Sequence, residues 1–184
     1  MTGAVAKDIS VSVLTLGLAL WAGWLDWRSH RIPNWLTVPG LLAGLAASTL
    51  AWGWPGTKGS LEGAGLALAI LLPTVLLRGL GAGDWKLMGA LGAFLGPQKL
   101  IVVLLGAVSI AGLMAIIAMI QQKRVKQTLR NVLILVHSFI TFRILPRTQH
   151  LTLDNPDLMR LPFGVAAAAA TLLFFSTVAM YRFF

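Results

Sequence analysis

The stretch Ile9-Ser-Val-Ser-Val-Leu-Thr-Leu-Gly-Leu-Ala-Leu-Trp-Ala-Gly-Trp-Leu25-Asp26-Trp-Arg28-Ser-His-Arg31-Ile-Pro33-Asn34 decides the fold. From Ile9 to Leu25 there is no charged residue, and the run then ends in an acid and two arginines. A membrane-crossing helix needs roughly 20 mostly apolar residues, so this run reads as a span and Asp26 marks its end. Trp24-Leu25-Asp26 offers no small-residue cleavage site, which favours an uncleaved first span over a removable signal.

The whole chain agrees with that reading. Of 184 residues, 57% are hydrophobic and 11% charged, and the mean hydropathy is +0.81. A water-facing domain carries roughly 25% charged residues, so most of this surface must face lipid. Further apolar runs occupy Trp35–Trp54, Leu61–Leu77, Leu100–Ile120 and Leu161–Tyr181. Between the third and fourth long runs lies Trp85–Gly96, rich in glycine and alanine. At 1.5 Å per residue it covers only about 18 Å of a hydrocarbon core about 30 Å thick. The expectation is one all-α polytopic membrane helix bundle over residues 1–184. It would have about six transmembrane helices, of which one is short and Gly-rich. A cytoplasmic connection over 121–160 would carry an interfacial helix at Leu129–Phe142, apolar but too short to span.

Positive charge sets the expected orientation. With the N-terminus outside, eleven of the 15 Lys and Arg residues fall on the cytoplasmic side, leaving only Lys7, Lys58, Lys99 and Arg182 outside. That follows the positive-inside rule, and the tryptophans near span ends suit the interface. The net charge of +9 is then explained by topology and by anionic membrane lipid, with no nucleic-acid partner. The sequence has no cysteine, so disulfides and thiolate metal sites are excluded.

Parity of the spans carries the main geometric expectation. Span one exits at Asp26, and spans two and three form a hairpin, so Asp84 in Gly81-Ala-Gly83-Asp84-Trp-Lys86 should emerge at the same surface. A carboxylate beside a bilayer is costly and marks function by default. Two of them at one depth could share a proton and hold a water, the arrangement by which paired aspartates hydrolyse peptides. Repulsion between them would split the titration into two steps that belong to the pair. Such chemistry needs no metal and no organic cofactor. Gly81 and Gly83 permit close approach of another backbone. Gly92-Ala-Phe-Leu-Gly96 is a GxxxG suited to tight helix packing, expected against span one.

Asp26-x7-Asn34, with Ile32-Pro33-Asn34-Trp-Leu-Thr-Val-Pro39, followed by Gly81-Ala-Gly83-Asp84-Trp-Lys86-Leu87, resembles the type IV prepilin peptidases, the GxGD aspartic membrane peptidases. The short form is most similar to those serving Flp (tight-adherence) pili. By motif the resemblance runs from Asp26 to about Gly96, and by span pattern over most of the chain. It implies an aspartic endopeptidase that removes the leader of prepilin-like proteins at the cytoplasmic face of the plasma membrane. Asp26 and Asp84 would be the catalytic pair, acting on a glycine-terminated leader followed by a hydrophobic helix. Larger relatives carry paired CxxC motifs and N-methylate the new terminus. With no cysteine here, methyl transfer is not expected.

Other readings of the same residues stand beside this one. Singly, each aspartate is an ordinary juxtamembrane charge. Lys86 either pairs with a carboxylate or substrate terminus, or anchors the span end. Pro33, Asn34 and Pro39 start span two and fix the turn after Asp26. Glu62, after Ser60, suits the start of an outer helix. The cytoplasmic basic run could also dock a pilus assembly protein. The alternative function is a small proton-coupled transporter using the aspartates as an ion relay, although both acids sit at one edge and no inverted repeat is visible.

Overall fold

A computed structural model describes residues 2–76, 79–121, 133 and 162–183. These described residues form five helices: α1 (Thr2–Ser29), α2 (Asn34–Trp52), α3 (Trp54–Leu76), α4 (Ala82–Gln121) and α5 (Phe163–Phe183). Each contains a stretch long and apolar enough to cross a membrane, and no strand occurs among the described residues. The architecture is the expected all-α membrane bundle. In lipid every backbone polar group must be satisfied within its own segment, which is why long apolar runs become helices. The interfacial helix expected over Leu129–Phe142, and nearly all of the 121–160 connection, lie outside the described residues.

Local chemistry sets the helix ends. α1 closes where His30 adopts φ 48 and its N–H donates to the Asp26 carbonyl at 2.8 Å, a left-handed helix stop. Pro33 is extended (φ −75, ψ 149) and caps α2, its carbonyl accepting the Leu36 N–H at 3.1 Å. Pro39, expected at the start of the span, instead lies inside α2. Gly53, at φ 64, turns the chain into α3 while its N–H reaches the Thr49 carbonyl at 2.7 Å. α3 therefore begins at Trp54, not Leu61, because Pro55 sits in the first turn, where its missing N–H costs no helical bond. Glu62 is consequently well inside the helix. It is no cap residue, and makes an exposed ion pair with Lys58 at 3.8 Å.

α4 is two helices joined across a break at Gly96 (φ 70, ψ 173), with Pro97 immediately after it. The first arm, residues 82–95, is the short Gly-rich helix anticipated from sequence. Its 14 residues rise about 21 Å, less than the hydrocarbon thickness. The break reverses the chain. A straight helix would carry Gly106 about 33 Å beyond Asp84. Yet a Cβ on Gly106 would lie 3.2 Å from Ala170 Cβ, and Ala170 stands only six residues beyond Gly164, which bonds to Asp26. The second arm therefore returns toward the end of the bundle that carries the aspartates.

The first arm is the core of the bundle. Leu87 through Leu95 are all buried, and Leu87, Met88 and Leu91 have no exposed surface. Lipid tails are as apolar as leucine, so this burial is driven by close packing and small residues, not by water exclusion. Glycines make the approach possible. A Cβ on Gly92 would lie 2.5 Å from the Gly63 carbonyl oxygen of α3. On the other side Gly44 of α2 faces Ala93 and Phe94, each within 2.9 Å of a built Cβ. The GxxxG of Gly92 and Gly96 thus packs on α3, not on α1 as expected. Span one instead lies along α5, with Gly23 against Ala168.

Candidate active site

Asp26 sits in the last turn of α1 and is 5% exposed. Its Oδ2 accepts the Gly164 N–H at 2.7 Å, a contact across 138 residues. Gly164 lies in the first turn of α5, where backbone N–H groups have no helical partner and seek an anion.

Asp84 occupies the first turn of α4. Its carboxylate accepts from the Gly81 backbone N–H, the reach-back contact of a capping box. That explains Gly81, because a Cβ there would lie 2.8 Å from Asp84 Oδ2. The other oxygen, Oδ1, is buried and has no hydrogen-bond partner among the described residues. Buried carboxylate oxygens left unpaired are costly, and in a cleft such an atom is a candidate for chemistry.

The fold brings the two acids together. Ile32 lies between the segments that carry them. A Cβ on Gly83 would meet the Ile32 carbonyl oxygen at 2.8 Å, and one on Gly164 would meet Ile32 Cδ1 at 2.9 Å. Gly83 is therefore spent on contact with the Ile32 backbone, so its small size has a reason within the bundle itself. Pro33 caps the next helix, holding Ile32 in place.

Lys86 and Asn34 meet each other. The Lys86 Nζ donates to Asn34 Oδ1 at 2.9 Å on the exposed surface, tying the start of α2 to the second turn of α4. Of the partners weighed from sequence, neither carboxylate of the pair is the recorded one. Trp85 braces the start of α4 from α3, its Nε1 donating to the Leu68 carbonyl at 2.8 Å. Exposed tryptophans surround this end: Trp24 and Trp27 in the last turns of α1, and Trp35 in the first turn of α2. Trp24 also carries the Arg28 guanidinium 5.8 Å from its ring centre.

Sequence reasoning missed Gly164. Pro162-Phe163-Gly164 carries no local signal of a partner, and only the antiparallel packing of α1 and α5 reveals it. Among the described residues no cluster of three or more His, Cys, Asp or Glu could hold a metal ion.

A multi-pass helical membrane protein with two acids converging at one end of the bundle is the class these features define. Residues 13–117, more than half the chain and including both acids, match the model of the type IV leader peptidase family. The chain belongs to that family, and its general role is that of a prepilin-type leader peptidase. No curated protein and no solved structure matches it.

Proposed function

We propose that this protein is an aspartic endopeptidase that cleaves the leader of prepilin-like proteins at the cytoplasmic edge of the plasma membrane. The observation that carries the reading is the convergence of Asp26 of α1 and Asp84 of α4 around Ile32, with Asp84 Oδ1 left without a protein partner among the described residues. One carboxylate takes a proton from water as the oxygen attacks the scissile carbonyl, while the protonated partner donates to the carbonyl oxygen. Collapse of the tetrahedral intermediate breaks the C–N bond, and the leaving amine takes up a proton from the pair.

Gly81, Gly83 and Pro33 shape this machinery by permitting and fixing the close contacts around Ile32 and Asp84. Lys86 and Asn34 hold the two helix starts together. The distribution of basic residues supports an N-terminus outside and both aspartates facing the cytoplasm. The substrate would present a glycine before the cut and a hydrophobic helix after it, reaching the pair from the membrane, and a pilus assembly partner would receive the product. Service to Flp pili is part of this proposal. The proposal covers hydrolysis alone.

Co-expression with a small prepilin bearing a glycine-terminated leader tests it. Asp26→Asn and Asp84→Asn should each reduce leader removal by at least about 100-fold, with insertion and folding intact. Processing that survives either change would overturn the assignment.

A further inference from the structure

The last helix contributes to the site, although it lies beyond the matched residues 13–117. Three observations converge on Gly164. Its N–H donates to Asp26 Oδ2 at 2.7 Å in a buried setting. A Cβ there would lie 2.9 Å from Asp26 Cβ, 3.0 Å from Asp26 Oδ2 and 2.9 Å from Ile32 Cδ1. The neighbouring Gly23–Ala168 contact, where a built Cβ falls 2.7 Å from Ala168 Cβ, sets α1 and α5 at a separation that leaves no slack.

We propose that Gly164 is a positioning residue for the reaction, its backbone N–H and lack of a side chain together holding the Asp26 carboxylate in register with Asp84. The inference rests on the peptidase reading above. Asp26 sits on the last turn of its helix, where neither the helix backbone nor the flanking loop supplies an amide to its side chain among the described residues. The donor comes from far along the sequence, 138 residues away, at the N-terminal end of a helix whose unpaired amides favour an anion. With one oxygen tied to α5, rotation of the carboxylate about χ2 is restricted, and the other oxygen is kept for the reaction. Gly164 touches no reacting atom and acts through Asp26.

The position predicts a separation of kinetic effects. Gly164→Ala keeps the N–H but adds an atom that must displace Asp26 or Ile32. A catalytic group misplaced by about 1 Å costs about 100-fold in rate, while substrate contacts elsewhere are untouched. In purified protein the variant should lose about 100-fold in kcat with KM within about twofold. Ile32→Val removes Cδ1, one of the obstructing atoms, and in combination with Gly164→Ala should restore part of that kcat.

A second readout does not depend on activity. Phe163-Gly164 is the single Phe-Gly pair in the sequence. Labelling with [1-13C]Phe and [15N]Gly therefore yields one amide resonance, that of Gly164. A charged acceptor draws this proton downfield, so Asp26→Ala should shift it upfield. Should Gly164→Ala fail to fold, the resonance decides the matter. A resonance indifferent to Asp26→Ala, or a folded Gly164→Ala with unchanged kcat, overturns the positioning role alone. Wild-type protein that leaves prepilin uncut overturns the peptidase reading, which the resonance does not test.

Discussion

Gly92→Ala should damage both stability and activity, and the structure indicates how much. The added Cβ would fall 2.5 Å from the Gly63 carbonyl oxygen, 2.7 Å from its carbonyl carbon and 3.1 Å from the Ala64 nitrogen. All three are backbone atoms, so no flexible side chain can yield. Restoring ordinary contact requires α3 and the first arm of α4 to part by about 1 Å. Overpacking of this kind costs about 1–3 kcal/mol. The same arm carries Asp84 two turns away, and a displacement of about 1 Å at a catalytic group costs about 100-fold in rate. Gly65→Ala is the control, because it lies on an exposed face of α3 with nothing within 4 Å of its built Cβ. There the substitution should be neutral, or stabilising by about 0.5–1 kcal/mol through helix propensity. Thermal melts in detergent and leader-cleavage rates on the purified variants supply both measurements. A Gly92→Ala protein as stable and as active as Gly65→Ala would refute the claim that backbone contact sets the position of Asp84.

Two further outcomes follow from neighbouring features. Ser48 is buried, and its Oγ donates to the Ala93 carbonyl at 3.0 Å. That carbonyl would normally receive the N–H four residues on, but Pro97 has none, so Ser48→Ala should cost about 1–3 kcal/mol for the unpaired acceptor, read by thermal melting with Ser48→Thr as the comparison. If the reaction needs one carboxyl protonated and the other ionised, kcat/KM should be bell-shaped in pH, with limbs belonging to the pair. A profile flat between roughly pH 4 and 9 would contradict a shared-proton mechanism.

The bundle and its two acids were legible because the underlying signals are local. Uncharged runs announce helices in lipid, and Asp26 and Asp84 stand out against such runs. Parity placed them at a common end, and the packing around Ile32 agrees. The partner of the Gly92–Gly96 seam was not legible. A small-residue motif says that a neighbour comes close without saying which, and here α3 takes the place expected for α1. The reversal near Gly96 was legible in outline, because counting Trp85–Gly96 as a short span put Lys99 outside and sent the next run back toward the cytoplasm, but the positive φ that makes the turn at Gly96 was not. Glu62 was misread because α3 starts a full turn and more before it, at Trp54-Pro55. The tie from Gly164 to Asp26 had no signature at all, since a backbone amide reads the same at every residue.

The short arm that ends at Gly96 has a consequence for how the protein meets different bilayers. Helices that touch lipid tilt or stretch their surroundings when the membrane is thinner or thicker than they are. From Leu87 to Leu95 this arm is enclosed by protein, so its depth is referenced to neighbouring helices and not to acyl chains. Asp84 rides on an internal pillar, sheltered from whatever thickness the surrounding leaflet happens to have.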